Sequence, residues 1–118
     1  MPVSEISTMS RHEFAAMLTN NSSVIILKFG AEWCGPCKTI EKEVVEYMKK
    51  MPENYTCMIL DIDECFDLYA YLKSKKIVTS IPCMVAYFKG NAHYAPDEIM
   101  IGTNLEEMET FFQACLDV

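Results

Sequence analysis

Trp33-Cys34-Gly35-Pro36-Cys37-Lys38 constrains this chain more than any other stretch. The apolar run at 24–29 leads into it, and the amphipathic stretch at 39–51 leads out. That pattern predicts a strand, a tight turn and a helix, with two cysteines at the helix entrance. Unpaired N–H groups and the helix dipole favour an anion at such an entrance. Cys34 is therefore expected to ionise more readily than an ordinary thiol. Cys37 lies one turn on and on the same face, so the two sulfurs can meet in a disulfide. Gly35 lets the turn form without steric penalty, and Pro36 is tolerated where a first-turn N–H has no partner. The pair reads as one that cycles between dithiol and disulfide.

A chain of 118 residues can bury a core without a metal or a disulfide framework, and 1–118 reads as a single domain. The net charge is −7, from 17 acidic and 10 basic residues, and Arg11 is the sole arginine. This balance argues against a nucleic-acid surface. The first residues hold no apolar core of a secretory signal. The longest apolar stretch, 77–88, is cut by Thr79, Ser80 and Pro82 and is too short to span a bilayer. The expectation is a cytoplasmic chain with no membrane contact. Cys57, Cys65, Cys83 and Cys115 are scattered, so they read as reduced, small apolar residues.

Along the chain, 3–8 is a short strand candidate carrying Val3 and Ile6. Ser10 with Glu13 forms a capping box for a helix whose Phe14, Met17 and Leu18 share one face. Residues 20–23 end it. The run 24–27 is apolar on both faces, as in a covered central strand. The next helix is expected to bury Ile40, Val44, Val45 and Met48 and to wet Glu41, Lys42, Glu43, Glu46, Lys49 and Lys50. Residues 55–62 read as a second core strand. Asp61 or Asp63 is the expected cap of a helix through Phe66, Leu68, Tyr69 and Leu72, which ends in the basic stretch 73–76. Residues 84–89 are a third inner strand, Gly90 and Asn91 a turn, and 99–101 an edge strand ended by Gly102. The last helix is capped by Thr103 with Glu106 or Asn104 with Glu107. It is expected to bury Leu105, Met108, Phe111 or Phe112, and Leu116. The order β-α-β-α-β-α-β-β-α calls for an α/β fold, a mixed sheet of about five strands flanked by about four helices. Right-handed crossovers bring the cysteine turn to the sheet's rim.

These residues resemble the thioredoxin family along nearly the whole chain. Trp33-Cys34-Gly35-Pro36-Cys37-Lys38 matches that family's active-site motif, and Phe29-Gly30-Ala31-Glu32 is close to its lead-in. Ile81-Pro82 falls where the family has a cis-proline; Phe88-Lys89-Gly90 and Ile101-Gly102 fall at matching strand ends. The resemblance implies a thioredoxin fold and a protein-disulfide reductase with no bound cofactor. In it Cys34 is the nucleophile and Cys37 the resolving thiol. Trp33, Gly35, Pro36, Ile81, Pro82 and Gly102 form a shallow substrate surface, with Ile81 offering backbone hydrogen bonds. The implied partners are disulfide-containing proteins and an NADPH-dependent reductase, and the implied state is a monomer.

The chain departs from the family at several places. Lys28 stands where most members bury an aspartate beneath the cysteines, and Ile59 stands where that acid often has a lysine partner. Lys28 is a candidate modulator of the pair's acidity: it can snorkel to solvent, stay charged and favour a thiolate, or serve neutral as a base. Gly30 replaces a common aromatic, and Lys42 replaces a mid-helix proline. The segments 63–82 and 90–101 are longer than usual. A zinc site would need two further ligands, and neither His12 nor His93 stands at ligand spacing. A specialised oxidant or isomerase and a non-catalytic clamp are the alternatives; Trp33 and the Gly35-Pro36 pair do not fit a glutaredoxin.

Overall fold

The structure is a computed structural model that describes residues 3–6 and 9–118. Its elements run β1 (Val3–Ile6), α1 (Arg11–Thr19), β2 (Val24–Gly30), α2 (Gly35–Lys49), β3 (Thr56–Asp61), α3 (Phe66–Ser74), β4 (Cys83–Phe88), β5 (Glu98–Ile101) and α4 (Leu105–Leu116). This is the order read from the sequence. Residues 7 and 8 of the expected first strand lie outside the described residues.

The five strands form one mixed sheet in the order β1-β3-β2-β4-β5. β1, β3 and β2 are parallel, and β4 and β5 run antiparallel to their neighbours. β2 is central and buried over its whole length, as its two-sided apolar run requires. Alternate residues of β2 feed two cores. Ile25, Leu27 and Phe29 pack with Phe14 and Leu18 of α1 and Leu68 and Leu72 of α3. Val24 and Ile26 pack with Ile40, Val44 and Met48 of α2 and Met108, Phe111 and Phe112 of α4. The period of two along a strand produces this division.

Helix ends follow local chemistry. Ser10 Oγ accepts from Glu13 N at 3.1 Å, and Glu13 Oε1 accepts from Ser10 N at 3.1 Å, so the capping box is closed. Ser10→Ala removes it and is expected to cost about 1 kcal/mol, read as a lower urea midpoint with unchanged slope. Asn104 Oδ1 accepts from Glu107 N, which selects the second of the two caps expected for α4. Neither Asp61 nor Asp63 caps α3. Cys65 holds the cap position but its side chain does not cap the helix, while Asp61 Oδ1 accepts from Asp63 N within the preceding turn.

The buried faces differ from expectation at their margins. Phe111 and Phe112 are both buried, with Met108 and Cys115, whereas Leu105 and Leu116 are exposed. Met108, Phe111, Phe112 and Cys115 are spaced by three, four and seven residues on one face, and the two exposed leucines are the first and last residues of α4. Val45 and Glu43 of α2 are half-buried. Phe66, on the first turn of α3, is 65% exposed. The two lengthened segments pack on each other. Tyr71 meets Tyr94 edge to face at 6.1 Å, and the Lys75 ammonium lies 5.8 and 5.3 Å from those two rings.

Candidate active site

Gly30 ends β2, and α2 begins at Gly35, so four residues carry the chain from the sheet to the helix. Cys34 is the N-cap of α2, and its Sγ accepts from the Cys37 N–H at 3.2 Å. Cys34 and Cys37 form a disulfide, with their Cα atoms 5.3 Å apart. Both sulfurs are largely buried, but the turn around them is open: Gly35, Pro36 and Lys38 are exposed. A Cβ at Gly35 would meet nothing within 4 Å. Steric need within the chain therefore does not explain this glycine, contrary to the sequence reading. Its backbone is exposed in the turn.

Trp33 is 67% exposed, and its indole Nε1 donates to Asp63 Oδ2 at 2.7 Å. Asp63 thus orients the ring instead of capping α3. The register Phe29↔Cys83 brings the start of β4 to the end of β2, so Ile81 and Pro82 arrive at the same rim as the cysteine turn. The Ile81-Pro82 bond is cis. Gly102 donates from its N–H to Pro82 O at 3.0 Å and holds φ at +104°, a region that favours glycine.

Lys28 lies under the pair and is only 2% exposed, so it does not snorkel to solvent. Its Nζ is 3.5 Å from Glu41 Oε1 and donates to Cys37 O over a long 3.4 Å. Ile59 is its cross-strand neighbour on β3. A cavity of about 500 Å³ opens here, lined by Lys28, Gly30, Cys37, Glu41, Ile59 and Asp61 among others. A Cβ on Gly30 would sit 3.3 Å from Cys37 Sγ and 3.6 Å from Lys28 Cε. A side chain here would crowd the Cys37 sulfur and touch the lysine. Sequence reasoning placed Glu41 on the wet face and missed its contact with Lys28. The available signal was its position four residues after Cys37, on the same side of the helix.

Cys57, Cys65, Cys83 and Cys115 are buried thiols outside any disulfide. Burial pushes the pKa of Cys57, Cys83 and Cys115 up from 9.0 to about 12, and raises that of Cys65. They are held as neutral thiols, in contrast to the cap position of Cys34. A raised pKa means that the unfolded chain ionises first, so stability is full below about pH 9 and falls as pH rises toward about 12. Denaturation midpoints measured at rising pH are expected to fall above about pH 9.

Residues 5–114 match the thioredoxin family model. The chain belongs to the thioredoxin family. It is 34% identical over 100 residues to thioredoxin 3 of Plasmodium falciparum, a match covering 84% of this chain and 52% of that protein. The chain thus spans about half the length of that relative. It is 33% identical over 86 residues to thioredoxin 1 of the same organism, covering 70% and 74% of the two chains. Among solved structures, a poplar thioredoxin h superposes with a TM-score of 0.74 over 100% of this chain and 99% of that one, at 24% identity. A Trichomonas vaginalis thioredoxin does so with a TM-score of 0.74 over 96% of each, at 15% identity. The fold is that of a thioredoxin, with Cys34 and Cys37 joined as a disulfide at the start of α2. Among the described residues, no group of three or more His, Cys, Asp or Glu is placed to hold a metal ion, and no helix is long and apolar enough to cross a membrane.

Proposed function

We propose that the chain reduces disulfides in protein substrates by cycling Cys34 and Cys37 between dithiol and disulfide. The observation that carries this is the position of Cys34 at the cap of α2, bonded to Cys37 in an otherwise exposed turn. The Cys34 thiolate attacks one sulfur of a substrate disulfide, and the other substrate sulfur leaves as a thiolate. Cys37 then gives up its proton and attacks Cys34 Sγ. The second substrate sulfur leaves, and two electrons have passed from the dithiol to the substrate. Trp33, Gly35, Pro36, Ile81, Pro82 and Gly102 form the surface on which the substrate chain lies, and the backbone of Ile81 pairs with it. Their common place at one end of the sheet supports this.

An NADPH-dependent reductase restores the dithiol, and the chain works as a single-domain monomer in the cytoplasm without a bound cofactor. Lys28 remains charged and favours the thiolate. Its buried ammonium beside the Cys37 carbonyl supports a pair more oxidising than a carboxylate at the same place would give. In an insulin-reduction assay driven by dithiothreitol, wild type is expected to turn over and Cys34→Ser to fall to the rate of dithiothreitol alone. Equal rates for both would rule the reading out.

A further inference from the structure

Lys28 is a nearly buried ammonium, and an uncompensated charge in that position costs several kcal/mol. The cavity around it is lined by charged groups from the turn, α2 and the end of β3: Glu32 from the turn, Lys38 and Glu41 from α2, Asp61 from the end of β3 and Glu64 from the loop that follows, while β4 places the apolar Met84 beside Lys28. Of these, Glu41 is the one in ion-pair contact, at 3.5 Å, and its side chain is 50% exposed. One end of the pair is therefore dry and against Cys37, and the other is wet. The Cys37 sulfur and the Lys28 side chain share one wall, at Gly30.

We propose that Glu41 is a positioning residue that sets the redox poise of the Cys34–Cys37 pair through Lys28. Its carboxylate holds the ammonium at the Cys37 end of the cavity and offsets part of that cation's attraction for a thiolate. The reduced pair carries a thiolate and the disulfide carries none, so a nearby cation stabilises the reduced form and makes the disulfide a stronger oxidant. Glu41 opposes this. The charges at 28 and 41 thus act on one equilibrium in opposite directions, with the sheet residue supplying the cation and the helix residue tempering it.

The inference rests on the pair cycling as proposed above, and an equilibrium measurement separates the two. The full chain is equilibrated with reduced and oxidised glutathione, and the dithiol fraction is read by thiol alkylation and mass. Glu41→Gln is expected to shift the equilibrium constant about tenfold toward the dithiol, which is about 30 mV. Lys28→Met is expected to shift it the other way, and the double variant to fall between them. Glu41→Asp, which withdraws the carboxylate by one methylene, is expected to shift in the direction of Glu41→Gln by less, and it serves as the test if Glu41→Gln does not fold. The pH profile of Cys34 alkylation should move to lower pH in Glu41→Gln, which loss of packing alone would not cause. An unchanged constant in both Glu41 variants, or shifts of the same sign in Glu41→Gln and Lys28→Met, would overturn the proposal. A wild-type pair that never equilibrates with glutathione would overturn the reductase reading and this inference together.

Discussion

Cys37→Ser is expected to stop turnover after the first chemical step and leave the substrate joined to Cys34. The first attack uses only Cys34, whose cap position at α2 does not depend on the sulfur at 37. The second requires a thiolate at 37, close enough to reach Cys34 Sγ; in the oxidised pair the two are bonded. A serine hydroxyl keeps the shape but is a far weaker nucleophile without an adjacent base. Steady-state reduction should fall about 10³-fold or more, as it does when one member of a catalytic set is removed. The initial attack should keep a rate within about tenfold of wild type, because the helix terminus that favours its thiolate is intact. Stopped single turnovers separate the two rates. If both collapse together, Cys37 has another role in shaping the turn.

Phe29→Ala is expected to cost about 3–5 kcal/mol, a large part of the roughly 5–15 kcal/mol that holds a domain of this size together. Phe29 is fully buried in the central strand, flanked by Leu60 on β3 and Cys83 on β4. It belongs to the core cluster that also holds Cys34 and Cys37, so its ring supports the floor of the site. Removing it leaves a cavity that the sheet cannot close, because hydrogen bonds on both sides fix its backbone. Urea titration should show a lower midpoint with unchanged slope. Ile99→Ala on the half-exposed edge strand β5 should cost well under about 1 kcal/mol. Similar losses at the two positions would contradict the placement of the core.

Much of this architecture was legible because burial writes itself into periodicity. The two-sided apolar run of β2, the capping box at Ser10 and the apolar stripe through Ile40, Val44 and Met48 each depend on local spacing. The cysteine pair was legible for the same reason, since its two members are a helical turn apart. What escaped depends on contacts between distant segments. Asp61 and Asp63 carry the composition of a cap, but tertiary partners claim both: one organises a turn and the other accepts from Trp33. Leu105 and Leu116 are apolar and stand at helical spacing from the buried face, yet as the end residues of α4 they stay exposed. Lys28 was recognisable as out of place, but its partner was not. Glu41 belongs by pattern to a solvated face, and its contact with Lys28 joins residues of two different elements.

The central claim is that Cys34, and no other thiol, receives the substrate sulfur. Its most direct test is peptide mapping by mass spectrometry of the adduct that Cys37→Ser forms with a disulfide-containing protein. The expected result is substrate on the peptide that carries Cys34 alone, with Cys57, Cys65, Cys83 and Cys115 unmodified, as their burial and raised pKa values require. Substrate on any of those four, or no adduct at Cys34, would contradict it.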